Sequence, residues 1–373
     1  MSATDTTLSL SIIDHEAGFL ALEPCWDALL ERSAIRTPFL TWDWVSLWWQ
    51  CYREDFTLRL AVLHDARGEV AGIAPFVLGR GVDGSRRWLR HLGFMGTLCE
   101  VASEGLDFII PRGDEPRLAP LLAQVIPRTR AEWDIVELST LHGESPNLGA
   151  LRAAMAAVGP VEDRFAPIPS YMYELPPTWD AVLAAMSSRT RRQHRQHWLA
   201  IQQDHAARFL TAPADVPAAE AFEALLRLHA ARFGEKESTF LKPRAIDFHR
   251  RLIERWAPSG RAILPCIELD GRLAVVRYGF THFGCLWDYQ TGYHPIYNGL
   301  SLGTMGMSWT MQCAMQRGLT VFDHLPGDQE HKRQRSTTSR SILHLETFNP
   351  SSPRALAFQL LRKARRKLPK REG

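Results

Sequence analysis

In the stretch TVFDHLPGDQEHKRQRS, residues 320–336, Val321, Phe322 and Leu325 are interspersed with Asp323 and His324. The stretch then breaks at Pro326–Gly327 into Asp328, Glu330, His331, Lys332, Arg333 and Arg335. A strand that delivers so many charges to its own end is either a solvated hairpin tip or the wall of a site. Asp323 lies on the Val321–Leu325 side of the strand and His324 faces the other way. A buried carboxylate needs donors or a cation to offset its lost hydration, and Lys332, Arg333 or Arg335 is placed to supply one. Structural ion pairing and catalysis are both consistent with these residue types.

Three other clusters have the composition of binding sites. Ser301-Leu302-Gly303-Thr304 opens a helix pattern, and small residues there let an anion approach unpaired N–H groups. A pyrophosphate or a developing oxyanion fits such a start, although a Ser cap with glycines for close packing explains the same residues. In Ser187–Trp198, Arg189, Arg191, Arg192 and Arg195 crowd a few helical turns with His194 and His197. Like charges at that spacing repel, so the segment suits a phosphate-bearing ligand or a solvated face. LWDYQTGYHPIYNG, residues 286–299, places Tyr289, Tyr293 and Tyr297 at every fourth position with Asp288 and His294.

Several chemistries are excluded by motif. The sequence has no GxSxG elbow, P-loop, HExxH pair or Gly-rich dinucleotide fingerprint. Its six cysteines are scattered without metal-ligand spacing and read as buried thiols of a reducing compartment, with no metal. A net charge of +3 over 373 residues argues against a globally nucleic-acid-binding surface. The N-terminus shows no basic-then-apolar leader, and no long uncharged apolar run is present. A cytoplasmic chain is expected. Residues 354–373 hold eight Lys or Arg against one Glu, with Leu356, Leu360, Leu361 and Ala364 as an apolar stripe. This pattern suits an amphipathic helix peripheral to an anionic inner-membrane surface, or a solvated terminus.

The elements that must position these residues occur twice. In the first half, PCWDALLERS and TPFLTWDWVSLWWQCY read as helices, the second capped by Thr41 or Asp43. LRLAVLHD and VAGIAPFVLGR follow as strands around a turn, and WDIVELSTL is a further strand. In the second half, RAILPCIELDGRLAVVRYGFTHFGCLWDYQTGY gives three strands with Asp270–Gly271 as a hairpin turn. The helix LGTMGMSWTMQCAMQRG then ends at Gly318, and a strand leads into residues 320–336. Long helices are inserted between the two sets, and VEDRFAPIP is the expected seam. An α+β chain of two duplicated domains, 1–165 and 166–350, with a basic tail at 351–373, is predicted.

In order and together these segments resemble the CelD-like acyltransferases, a tandem-GNAT branch similar in architecture to the Fem-type aminoacyl transferases. TPFLTWDWVSLWW, MSSRTRRQHRQHW and LLRLHAARFGEKESTF resemble three of its segments; YQTGYHPIYNGLSLGT and GLTVFDHLPGDQEHKRQRS resemble its most specific ones. The resemblance implies two GNAT-like domains and acyl transfer from acyl-CoA, without a metal. The acceptor would be an amine or hydroxyl of a small-molecule or lipid-linked sugar in exopolysaccharide or envelope assembly. It implies acyl-CoA along the strand ending near Gly292 and at Ser301, Gly303 and Thr304, with Lys332 neutralising donor charge. Asp323 would hold or deprotonate the acceptor, with His324 as alternative base and Tyr289 as proton donor to the leaving group. Arg191, Arg195, His229 and Arg232 would bind the acceptor, and the first domain would lack an active site of its own. An aminoacyl-tRNA donor and a non-catalytic scaffold of a polysaccharide machine are the alternatives.

Overall fold

The computed structural model describes residues 8–81, 86–234 and 238–367. Residues 368–373 of the basic tail and Glu235–Glu237 of the segment after Phe233 lie outside them. The chain divides into two compact units, 1–168 with 341–373, and 169–340.

In the first unit the strands are β1 (Ser9–Ile13), β2 (Thr57–Leu58), β3 (Leu60–His64), β4 (Val70–Ala74), β5 (Phe76–Arg80), β6 (Arg90–Phe94), β7 (Ile135–His142) and β8 (Val161–Asp163). Its helices are α1 (Glu16–Leu20), α2 (Glu23–Glu31), α3 (Trp42–Tyr52), α4 (Glu115–Leu122), α5 (Val125–Arg128) and α6 (Leu148–Ala156). Strands β1, β3 and β4 form a small antiparallel sheet, and β7, β6, β5 and β2 follow one another in a larger one. Helix α3 is core rather than surface, with Trp44 and Trp48 out of water. Thr41 stands at its N-cap but does not cap it; the hydroxyl donates to the Pro38 carbonyl at 2.7 Å.

Strands β6 and β7 run parallel and pair only at His91–Ile135 and Leu92–Val136 before parting. The chain after β6 packs back against both strands. Thr97 and Leu98 pack against Gly93, Gly105 abuts His142 at the end of β7, and Trp44 and Trp48 donate to Ser103 and Cys99.

The second unit comprises β9 (Ile168–Glu174), α7 (Trp179–Ala185), α8 (Ser188–Asp204), β10 (Arg208–Ala212), α9 (Ala218–Phe233), α10 (Pro243–Trp256), β11 (Ala262–Leu269), β12 (Arg272–His282), β13 (Cys285–Tyr293), α11 (Leu302–Gln316), β14 (Val321–Pro326) and α12 (Glu330–Arg333). Its strands are ordered β10-β11-β12-β13-β14-β9. The β11–β12 hairpin turns at Asp270 and Gly271, both at positive φ, as the Asp-Gly pair predicts. Among the described strands of this unit only β13 and β14 pair in parallel, because α11 carries the chain over the sheet between them. Helices α9 and α10 cover one face, where α10 buries Ala245, Phe248, His249, Leu252, Ile253 and Trp256 at helical spacing. Helices α8 and α11 cover the other.

The last strand, β15 (Thr338–Phe348), ends the second unit at Arg340, short of residue 350, because Ile342–Phe348 pair with β7. Helix α13 (Pro353–Lys367) follows and joins the first unit through Ala355 and Phe358, packed with Leu89, Ile135 and Phe348. Arg362 fixes it by ion pairs to Glu346 at 2.9 Å and Glu162 at 2.8 Å. Glu346 also pairs with the buried Arg86, which reaches Glu137. Leu356, Leu360 and Leu361 remain exposed on α13.

Gly292 shows how closely α9 lies on β13. A Cβ there would come within 2.7 Å of the Leu228 Cβ and 2.9 Å of the His229 nitrogen. Gly292→Ala should therefore destabilise the protein by about 1–3 kcal/mol through overpacking, read as a lower urea midpoint with unchanged m.

Candidate active site in the second unit

Parallel pairing of β13 with β14 stops at Trp287–Asp323. Beyond that rung β13 carries a bulge: Gly279 pairs with Asp288 and Tyr278 with Gln290, so Tyr289 is the extra residue. A bulge twists its strand away from its neighbour. On the other side Leu325 takes a positive φ of 58° and β14 turns off. The two strands part, leaving an opening bordered by Asp288–Tyr293, His324–Pro326 and the start of α11.

The bulge also resets side-chain parity. Asp288 and Thr291, three residues apart, both meet Arg277 of β12. The guanidinium grips Asp288 through two nitrogens and donates to the Gly303 carbonyl at 3.3 Å, tying the start of α11 to the sheet. Both Arg277 and Asp288 are almost fully buried. Ser301 holds a left-handed conformation and does not cap α11; its hydroxyl meets His197 Nε2 at 3.3 Å. The first N–H groups of α11 are thus left without a side-chain cap. Gly303 leaves room for the Tyr293 ring, 3.2 Å from where a Cβ would stand, and the Arg232 guanidinium lies over that ring.

His324 borders the opening, 2% exposed. Its Nε2 donates to the Arg335 carbonyl at 2.9 Å; a carbonyl can only accept, so Nε2 carries the proton and Nδ1 the lone pair. Burial, reinforced by Arg277 and Lys332, pushes this imidazole down to about 4, so it is neutral at pH 7. Arg335 reaches Ser308 of α11 at 3.4 Å, and Ser308 also meets His194 of α8 at 2.9 Å. Lys332 donates to the carbonyls of Leu325 and Pro326 at 3.0 and 2.9 Å, closing the break in β14. The opening is therefore net basic: Arg277, Lys332 and Arg335 stand against Asp288.

Three expected site residues have other places. Asp323 is fully buried and bonded to Arg340, to the Leu325 N–H at 2.8 Å and to Ser170 at 3.4 Å. Burial pushes its carboxyl up while Arg340 and these donors oppose that shift, so it is a structural anchor out of an acceptor's reach. Its cation is Arg340 rather than Lys332, Arg333 or Arg335; Arg333 instead pairs with exposed Asp328. Tyr289 lies on the α9–α10 face, its hydroxyl 3.3 Å from His249, across the sheet from His324. His229 is buried, with its ring nitrogens engaged by Ser238 and the Thr291 carbonyl. Arg191 and Arg195 lie on α8, and neither forms an ion pair among the described residues.

A strand pair opened by a bulge, beside a crossover helix with an uncapped start, is how residues 187–333 are built. Those residues match the family described as acetyltransferase (GNAT) domain. The crystal structure of FemX superposes with a TM-score of 0.60 at 11% identity, covering 94% of this chain and 99% of that one. A conserved Bacteroides thetaiotaomicron protein of unknown function gives 0.54 at 12%, covering 91% and 100%. A tandem GNAT protein from the clavulanic acid biosynthesis pathway gives 0.52 at 11%, covering 92% and 100%. No curated protein matches in sequence. Residues 187–333 thus carry a GNAT domain, and the chain as a whole shares its fold with FemX and a tandem GNAT protein. Among the described residues no acidic, His or Cys cluster is arranged for a metal, and no helix is long and apolar enough to cross a membrane.

Sequence reasoning did not single out Arg277 or Ser308 in this GNAT unit. Arg277 sits mid-strand among apolar residues, and only the bulge reveals why a cation belongs there. Ser308 is hidden among the methionines of α11.

Two outcomes follow for the GNAT unit. His194, His249 and His324 are held neutral by burial, near 4, 3 and 4. Unfolded imidazoles titrate near ~6.5, so these groups contribute stability above that pH and lose it as pH falls towards 4. Urea midpoints should drop between pH 7 and pH 4.5, with a shallower slope in His249→Gln. Arg340→Met, which strands the buried Asp323 carboxylate, should cost about 3–5 kcal/mol, measured by denaturant titration at pH 7.

Proposed function

We propose that the second unit transfers an acyl group from acyl-CoA to an amine or hydroxyl of a sugar or envelope precursor. The observation that carries this reading is the neutral His324 imidazole at the parting of β13 and β14, its lone pair on Nδ1. The edge of β13 that β14 leaves offers backbone groups suited to an extended amide chain, and the start of α11 suits a pyrophosphate. Ser301, Gly303 and Thr304 would border that group, with Arg232 beside them.

In this reading His324 Nδ1 accepts the proton of the attacking N–H or O–H. The new bond forms to the thioester carbonyl, and Arg277 and Lys332 supply the field that stabilises the developing oxyanion. When the carbon–sulfur bond breaks, His324 returns the proton to the thiolate. A base held neutral far below pH 7 is available across the physiological range.

The acceptor is proposed as a small-molecule or lipid-linked sugar of exopolysaccharide or envelope assembly, handled in the cytoplasm. Peripheral contact with an anionic membrane through α13 is supported by Leu356, Leu360 and Leu361, exposed at 47%, 67% and 57% beside basic residues. The unpaired arginines of α8 favour one second reading, an aminoacyl-tRNA donor.

Calorimetric titration with acetyl-, octanoyl- and palmitoyl-CoA tests the donor. Saturable binding that weakens in Lys332→Ala is expected; no binding to any of them would overturn the donor assignment. Binding of charged tRNA that falls steeply with salt would then take its place. With glucosamine as probe acceptor, His324→Ala should lower kcat by about 10²–10⁴ with acyl-CoA affinity retained.

A further inference from the structure

Helices α7, α8 and α11 enclose an open groove of about 350 Å³, lined by Trp179, Leu183, Arg195, Trp198, Leu199 and Gln312, with His194 in its wall. This volume lies at the small end of ligand sites. Helix α8 is otherwise strongly polar, SRTRRQHRQHWLAIQQD, yet it holds Leu199 half exposed at the groove mouth.

The helical repeat sets charge beside this groove. Arg191, Arg195 and Leu199 follow one another at four-residue intervals and so share one row along α8. Neither arginine has a carboxylate partner among the described residues. An anionic head on this pair leaves a chain to pass Leu199 into the groove along Trp198 and Leu183. His194, stacked on Trp198, connects that wall through Ser308 to Arg335 and so to His324.

We propose that this groove binds the acceptor as a lipid phosphate, a single alkyl or prenyl chain in the groove with its phosphate on Arg191 and Arg195. As a statement about the acceptor it rests on the acyl-transfer reading. It selects a lipid-linked acceptor over a soluble nucleotide sugar, whose hydrophilic ribose and sugar gain nothing from Leu183 and Leu199.

The test is calorimetric titration of the full chain with decyl phosphate below its micellar range, beside inorganic phosphate. Decyl phosphate should bind at least tenfold more tightly than inorganic phosphate. Leu199→Asp, at a half-exposed position that tolerates change, should lose that tenfold gain, and Arg195→Gln should weaken binding at least fivefold. Equal affinity for both probes would overturn the proposal, as would binding indifferent to Leu199→Asp. Competitive displacement of decyl phosphate by octanoyl-CoA would also overturn it, because the groove would then belong to the donor's acyl chain. The first titration contains no acyl donor, so its failure leaves the acyl-CoA reading standing. Conversely, a chain that ignores acyl-CoA still reports on the groove.

Discussion

The arrangement of the second unit depends on one carboxylate kept out of water. Asp323 occupies the last rung at which β13 and β14 are paired, and it has no exposure to solvent. An ionised group in that position costs several kcal/mol unless a cation and donors surround it. Arg340, the Leu325 N–H and Ser170 do so. The Leu325 contact lies within β14 and favours the local turn into positive φ; Arg340 brings in the start of β15. The strand therefore departs from its neighbour at a point fixed by electrostatics rather than by loss of hydrophobic contact, and Lys332 binds the carbonyls that the departure exposes.

A second buried pair performs the matching task on β13. Arg277 and Asp288 neutralise one another across the β12–β13 rungs, and the guanidinium extends from there to the first turn of α11. The helix start is held to the sheet by a charge-assisted bond instead of by a cap on itself, which leaves its first N–H groups without a side-chain partner. Between the two pairs His324 is dehydrated and surrounded by cations, which keeps it uncharged. The protonation state of His324 is thus set by the buried charges and the burial around it.

Much of this was legible in the sequence, and the gaps have physical causes. The duplicated order of strands and helices, the Asp270–Gly271 hairpin and the Gly318 helix end follow from periodicity and turn chemistry alone. Residues 320–336 divide between two environments. Asp328, Glu330 and Arg333 form a solvated tip, whereas His324, Lys332 and Arg335 face inward. Their every-fourth spacing grouped Tyr289 with Tyr293, and the bulge, invisible in composition, puts them on opposite faces. Asp323 could be recognised as a buried acid needing a cation, but the partner comes from a following strand, beyond the local charge run. Arg191 and Arg195 stood out by density; that Leu199 continues their row becomes meaningful only when α7 and α11 supply the other walls.

In the first unit β6 and β7 also pair in parallel over only a short span, and the chain between them packs back on both. Residues 95–105 cross from β6 to β7, and Trp44 and Trp48 hold them down. In binding terms this segment is a tethered occupant: its effective concentration is set by covalent connection and does not fall on dilution. A free molecule would have to compete with a local concentration on the order of millimolar for a short linker. The packing of this segment is therefore an intramolecular association, and its contribution to stability does not depend on protein concentration.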